Sequence, residues 1–327
     1  MPQRLRQLEH WLAQSCRLSG FRVATASADA SFRRYFRVTL TDGTTFVAMD
    51  APPDKEDCQP FIDVAARLAR AGLHVPAIIA QDLQQGFLLL EDLGTNAYLD
   101  ALNAASAERL YGDAMDALLN LQRLASTDGL PVYDRAMLLR EMQLFPEWLL
   151  GRHLGLSLSA ADSAMLDAAF EGLVDNALAQ PAVCVHRDYH SRNLMVVAGR
   201  NPGVIDFQDA VCGPVTYDLV SLLRDCYIRW PAAQVDAWVG RYRDQATRAG
   251  LLDGVDADTF LAWFDLMGVQ RHLKAAGIFA RLNHRDGKPG YLADVPRTLD
   301  YIVAVGKRRR EVRELAGFVA QRVLPRL

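Results

Sequence analysis

Three short apolar runs crowd into residues 181–207, and the chain between them can only turn back on itself. Pro181-Ala182-Val183-Cys184-Val185 reads as a buried strand. Asn193-Leu194-Met195-Val196-Val197 reads as the next, and Gly199-Arg200-Asn201-Pro202-Gly203 is a turn by composition. Gly203-Val204-Ile205-Asp206-Phe207 then returns as a third strand. A hairpin of this kind sets Asn193, at the start of one strand, beside Asp206, at the end of its neighbour. Both side chains carry oxygen ligands suited to a hard cation such as magnesium.

The stretch leading into the hairpin is His186-Arg187-Asp188-Tyr189-His190-Ser191-Arg192-Asn193. Asp188 and Asn193 have the spacing H-R-D-x-x-x-x-N, in which the Asp accepts the proton of an attacking hydroxyl. The Asn and a later Asp hold the magnesium ions that bridge the phosphates of ATP. Asp188 is therefore the candidate base, and Asn193 and Asp206 are the candidate metal ligands. The plainer alternative is a chance His-Arg-Asp in a loop, with Asp206 capping a turn.

With 327 residues the chain is long enough for one large or two ordinary domains, and half of it is apolar. A net charge of −3 predicts a soluble protein that does not bind nucleic acid. Five dispersed cysteines without a C-x-x-C predict neither a zinc site nor a disulfide framework. Cys184 and Cys212 flank the motif and read as buried, inert thiols. The first residues lack the apolar stretch of a signal peptide, and no run approaches membrane-spanning length. A cytoplasmic setting is the expectation.

Leu5, Leu8, Trp11 and Leu12 follow helical spacing. Arg34 to Leu40 and Thr44 to Met49 read as strands around the turn Thr41-Asp42-Gly43. Phe61, Val64, Ala65, Leu68 and Ala69 form a helical stripe with Gly72 as its stop. Pro76 to Gln81 and Phe87 to Glu91 read as two more strands. The predicted fold is α+β and two-lobed. A small antiparallel-sheet lobe occupies 1–93 and a larger, mainly helical lobe occupies 94–327, with a cleft between them. Helices are expected over Asn96 to Ser126, Asp134 to His153 and Ala160 to Leu178.

On these residues the chain resembles the aminoglycoside phosphotransferase and choline kinase group, small-molecule relatives of protein kinases. The resemblance rests on His186 to Asn193, Ile205-Asp206-Phe207-Gln208-Asp209, Gly213-Pro214 and Tyr217-Asp218-Leu219. Gln208 replaces the glycine of D-F-G, and no A-P-E follows. The resemblance implies ATP and magnesium as cofactors, a nucleotide-binding first lobe, and adenine held at the Glu91 to Leu93 backbone. It implies that Asp218 is a buried carboxylate steadying the catalytic loop; a helix N-cap is the alternative. Within the group the chain is most similar to bacterial anomeric kinases of cell-wall sugar recycling, which act on N-acetylmuramate and N-acetylglucosamine. Asp29 to Arg37, Gln270 to Leu282 and Arg285-Asp286-Gly287-Lys288 carry that closer likeness. It implies a small amino-sugar partner. A kinase of another small alcohol, such as an aminoglycoside, choline or homoserine, and a catalytically dead nucleotide-binding module remain alternatives.

Two departures from the kinase pattern stand out. Ser27 to Phe36 contains no glycine, and Met49 stands where a phosphate-pairing lysine belongs. Arg33 or Arg34 could supply the missing cation, since a guanidinium offers phosphate two parallel donors; solvated hairpin charges are the alternative. Lys55 is a weaker substitute, and Glu56 or Asp63 could be the pairing acid. From Gln270 to Lys288 there are five basic residues and one acid. Arg271, Lys274, Arg281 and Arg285 fall on one helical stripe, which is either a solvated face or a wall for an anionic acceptor. Arg271 and Lys274 are accordingly candidate acceptor-binding residues. His190 could touch the transferring phosphate or serve a structural contact, and His272 could be packed or a ligand.

Overall fold

The computed structural model describes residues 2–27 and 32–327. Asp29, Ala30 and Ser31 of the first resemblance stretch lie outside the described residues. α1 (Pro2–Gln14) leads into β1 (Phe21–Ser27), β2 (Arg34–Leu40) and β3 (Thr45–Asp50). α2 (Gln59–Arg70) then separates them from β4 (Ile78–Asp82) and β5 (Phe87–Glu91). The five strands form one antiparallel sheet in the order β1-β2-β3-β5-β4.

Period-two alternation gives each face of this sheet its own cover. Phe36, Val38, Ala48, Phe87 and Leu89 pack on Leu8, Trp11 and Leu12 of α1. Tyr35, Val47, Met49, Leu88 and Leu90 face the other way, toward α2 and the rest of the chain. β1 was not predicted. Beyond Phe21 and Val23 its outward half is Ala-Thr-Ala-Ser, too weak an apolar signal to read, and it pairs only with β2 at the sheet edge.

The helical lobe begins with α3 (Tyr98–Ala101) and α4 (Ala107–Leu124), where a single helix over Asn96 to Ser126 was expected. Asn103 breaks it: its side-chain oxygen accepts the N–H groups of Ala105 and Ser106 at 2.9 and 3.2 Å. Such local bonds compete with helix. The expected helix over Asp134 to His153 is likewise divided, into α5 (Arg135–Met142) and the π-helix Phe145–His153. Pro146, which has no N–H to give, sits at the start of the second piece. α6 (Ala160–Leu178) runs as expected, started by a Ser159–Asp162 capping box.

β6 (Ala182–Val185) pairs with β9 (Val211–Pro214), and β7 (Leu194–Met195) pairs with β8 (Gly203–Val204). The expected hairpin exists, but each arm is two residues long. After Met195 the chain turns to Asn96, whose carbonyl accepts Val196 N–H at 2.8 Å. Asp206 leaves β8 in left-handed backbone, at φ 64°. Cys184 and Cys212 are cross-strand partners with free thiols, the first buried and the second half-buried.

α7 (Tyr217–Leu223), α8 (Ala232–Arg248) and α9 (Ala257–Asp286) follow, then α10 (Val295–Gly306) and α11 (Arg313–Phe318). α9 is 30 residues long and packs against α5, α6, α7, α10 and the π-helix. At Gly277 the packing leaves no room for a side chain: a Cβ would lie 2.4 Å from the carbonyl carbon of Leu144. Among the described residues no helix is long and apolar enough to cross a membrane.

Candidate active site

The cleft between sheet and helices has a volume of about 890 Å³. Asp188, Asn193 and Asp206 all line it. Asn193 Nδ2 donates to Asp206 Oδ2 at 3.2 Å and to the Asp188 carbonyl at 3.1 Å, so the three residues meet as their order in sequence predicted. The β7–β8 pairing is what joins them, closed by Ile205 N–H donating to the Asn193 carbonyl at 3.1 Å. Gln208, standing where D-F-G has glycine, donates to Asp206 Oδ1 at 2.8 Å. Among the described residues no three His, Cys, Asp or Glu side chains gather as a metal cage. One carboxylate and one amide oxygen fit magnesium that shares its shell with phosphates and water.

The loop holding Asp188 is fixed from beneath. Asp218 is fully buried and accepts His186 N–H at 2.7 Å and Arg187 N–H at 3.0 Å. It is thus the buried carboxylate; the N-cap of α7 is Thr216. Burial pushes the Asp218 carboxyl up to about 7, against the pull of the two N–H groups. His186 is buried, bonds the Ile205 carbonyl through Nε2 at 3.1 Å, and is pushed down to about 4 by burial. Arg187 has φ 77°, a costly backbone for a side-chain residue. Further along, Asp225 accepts Ser191 N–H and Oγ–H at 2.9 and 2.5 Å, and Tyr227 N–H at 2.9 Å.

Burial pushes the Asp188 carboxyl up, but Lys274, His190 and Arg271 outweigh it and hold the group below its ordinary value. A carboxylate kept ionised can take a proton from a hydroxyl. Lys274 itself is tied down: Nζ lies 3.0 Å from Glu141 Oε1 and 2.9 Å from the Tyr217 hydroxyl. The Glu141 carboxylate also receives the Arg187 guanidinium and the Tyr133 hydroxyl. Glu141 and Asp225 were missed in the sequence. An acid in an amphipathic helix gives no signal, although Asp225 within Leu-Leu-Arg-Asp-Cys stands out as a charge in an apolar run.

The two hairpin arginines part company. Arg33 lines the cleft, with its guanidinium 3.1 Å from Glu56, which also lines it. Arg34 does not line the cleft and pairs with buried Asp50, which Arg4 also holds. Its assignment to the nucleotide is corrected, because the first residue of β2 turns its side chain to Asp50 and Arg4 on the α1 side, away from the cleft. Met49 is buried against the core, Lys55 is exposed beside Asp54, and Asp63 bonds Gln59 on the surface. Glu91 and Leu93 line the cleft with Val47, Leu90 and Ile205. The Glu91 carboxylate accepts Ala77 N–H at 3.2 Å, and Arg37 ties β2 to the junction through Asp92 and the Gly94 carbonyl.

The basic stripe of α9 is no solvated face throughout. Arg271 and Lys274, 6% and 7% exposed, line the cleft from within, and Arg285 lines it at its exposed end beside Asp286. Beyond Asp188 stands an aromatic wall that sequence reading did not find: Tyr227, Phe279 and Tyr291, with Phe279 stacked on Tyr291 at 5.7 Å. Arg192 lies over the Tyr227 ring at 3.7 Å. His190 lines the cleft edge-on to Tyr227. His272 is structural, stacked on Tyr301 and bonded to the Arg224 carbonyl at 2.9 Å.

The sequence matches the phosphotransferase enzyme family over residues 22–252. It is 54% identical to an N-acetylmuramate/N-acetylglucosamine kinase of Pseudomonas putida, covering 91% of this chain and 88% of that one. A protein of the same name from Neisseria meningitidis serogroup B is 43% identical, with 98% and 96% covered. The fold is similar to a choline kinase of Streptococcus pneumoniae, with TM-score 0.63, 11% identity, and 91% and 98% of the two chains covered. It is also similar to an ADP-bound aminoglycoside phosphotransferase, with TM-score 0.60, 15% identity, and 90% and 97% covered.

Proposed function

The chain belongs to the phosphotransferase enzyme family, and on that premise we propose that it transfers the γ-phosphoryl group of ATP to the anomeric hydroxyl of N-acetylmuramate and N-acetylglucosamine. The product is the sugar 1-phosphate, in service of cell-wall sugar recycling in the cytoplasm. Enzymes of this class are ATP-dependent small-molecule kinases.

One observation carries the choice of acceptor. The part of the cleft facing Asp188 from α9 and beyond is aromatic and basic: Arg271, Lys274, Phe279, Arg281, Arg285 and Tyr291 line it, and no acid from that stretch does. A polycationic aminoglycoside needs carboxylates there. A pyranose has an apolar face suited to aromatic rings, and the lactyl carboxylate of N-acetylmuramate suits a basic rim.

Asp188 orients the anomeric oxygen and takes its proton as the oxygen–phosphorus bond forms and ADP departs with the bonding pair. The anomeric hydroxyl is more acidic than its neighbours, so a base of low pKa serves. Asn193 and Asp206 would hold magnesium, which would supply charge neutralisation for the phosphoryl group. Glu91 and Leu93 offer their backbone to the adenine. Arg33, steadied by Glu56, approaches the phosphates from the sheet. His190 stays a contact within the acceptor wall. We divide the lobes at 93/94, where Gly94 takes a left-handed φ of 88°.

A panel of N-acetyl sugars, aminoglycosides, choline and homoserine, with products read by phosphorus NMR, tests the acceptor. The expected signal is an anomeric phosphate on both N-acetyl sugars; its absence from both would end this reading. Asp188→Asn should abolish ADP release while nucleotide still binds, and turnover retained in that variant would remove Asp188 from its role.

A further inference from the structure

A kinase cleft needs a positive charge facing the phosphoryl group in flight, and three of the cations in this cleft already face a carboxylate. Arg33 lies 3.1 Å from Glu56, Arg37 lies 2.6 Å from Asp92, and Lys274 lies 3.0 Å from Glu141. Arg271 differs. It is 94% buried by its 6% exposure, lines the cleft, and has no carboxylate within ion-pairing distance among the described residues. Its NH1 reaches only the Cys226 sulfur at 3.6 Å, and its Nε has no hydrogen-bond partner among the described residues. Asp225, which with Asp188 acts on Arg271 through space, has both oxygens occupied by Ser191 and Tyr227.

An unpaired buried guanidinium is costly to keep, and an anionic ligand would satisfy it. We propose that Arg271 meets the transferring phosphoryl group, reaching it from the acceptor side of Asp188. The helical lobe thereby supplies the cation that Met49 cannot. Arg271 sits one helical turn before Lys274, and both act on Asp188 through space. Its planar guanidinium suits two phosphoryl oxygens. In the step itself, the acceptor oxygen bonds phosphorus, the bond to the ADP oxygen breaks, and Asp188 keeps the acceptor proton. Arg271 exchanges no proton; it stabilises the charge on the equatorial oxygens. A lactyl carboxylate alone is the weaker partner, since N-acetylglucosamine, the second proposed acceptor, has none and would leave the guanidinium unpaired.

The inference rests on phosphoryl transfer from ATP and not on which acceptor is used. The test compares wild type with Arg271→Met and Arg271→Gln. Calorimetry measures magnesium–ADP binding with and without aluminium fluoride, which mimics the phosphoryl group in flight. Kinetics measure kcat and KM with each N-acetyl sugar. ADP binding and the thermal midpoint should stay near wild type, and the tightening by aluminium fluoride should disappear. kcat should fall about 10²–10³-fold with both sugars alike. Retained tightening overturns the proposal. So does loss of N-acetylmuramate turnover alone, which would make Arg271 a reader of the lactyl carboxylate. If one substitution unfolds the protein, the other carries the test. A wild type that shows the tightening but phosphorylates neither sugar would defeat the acceptor reading and leave this inference standing.

Discussion

Replacing Glu141 by Gln should harm both the fold and the chemistry. The Glu141 carboxylate, 9% exposed, is where three donors converge: Lys274 at 3.0 Å, the Arg187 guanidinium and the Tyr133 hydroxyl. Burial pushes its pKa up, but Lys274 and Arg187 more than reverse this, so the group is ionised. Glutamine keeps the shape and one acceptor oxygen but turns an amide N–H₂ toward a donor. Buried Lys274 and partly buried Arg187 lose the carboxylate that pairs with both. Removing one partner of a buried pair costs about 3–5 kcal/mol. The Tyr217 hydroxyl and Asp188 remain near Lys274, which argues for the lower end, about 3 kcal/mol. Calorimetric melting should register this as a fall of roughly 6 °C, taking about 2 °C per kcal/mol for a chain of this size. Arg187 precedes Asp188 and holds a left-handed φ of 77°. Freed from Glu141, it should let the loop relax, with kcat falling about tenfold or more for a sub-ångström displacement of the base. Adding Lys274→Met removes one orphaned cation, so the double variant should be less destabilised than the two single losses together, by about 1–3 kcal/mol. A Glu141→Gln protein that melts within 1 °C of wild type, with strict additivity in the double variant, would refute the argument that this carboxylate holds the loop.

Arg33→Met should raise KM for ATP, whereas Arg34→Met should cost stability through Asp50 and leave KM unchanged; steady-state kinetics with a melting curve separates them. Asp218→Asn places an amide N–H₂ against the two N–H groups of His186 and Arg187, and should cost about 2–4 kcal/mol in urea unfolding. kcat should fall with it. His186 is held neutral by burial, with its pKa pushed down to about 4 from an ordinary 6.5. Its contribution is therefore fully present above pH 6.5 and is lost as pH falls toward 4, by up to about 3 kcal/mol. His272, pushed down to about 3, adds to the loss. Melting temperatures across pH 4–7 check this, and His272→Gln should flatten the acid limb.

Local chemistry made the centre of this site legible. Asp188, Asn193 and Asp206 are bound by sequence-near elements, and the turn at 199–203 dictates the hairpin that joins them. Asp218 was readable only through the family resemblance, since its place at the start of a helix left an N-cap as the alternative. The periphery was not. Whether Arg271 and Lys274 face water or the cleft depends on the rotation of α9, and helical spacing gives a stripe but not its direction. Glu141 faces Lys274 across 133 residues of chain, in a contact only tertiary packing creates. Arg33 and Arg34 were indistinguishable until the structure showed Arg34 opening β2 toward Asp50 and Arg4, with Arg33 before the strand and on the cleft. Breaks within predicted helices came from single residues, Asn103 and Pro146, whose hydrogen-bonding chemistry overrode a continuous apolar pattern.

Gly277 gives α9 a property beyond packing. At that position the helix leaves no room for a Cβ against the backbone of Leu144. Arg271 and Lys274 lie on one side of it, and Phe279, Arg281 and Arg285 on the other. Any side chain at 277 would clash with the Leu144 backbone and push α9 away from it. Because the cleft-lining residues stand on both sides of Gly277, that displacement would reach Arg271 and Lys274 as well as Phe279 and Arg281. An engineer seeking a new acceptor should vary positions 278–291 and leave 277 alone.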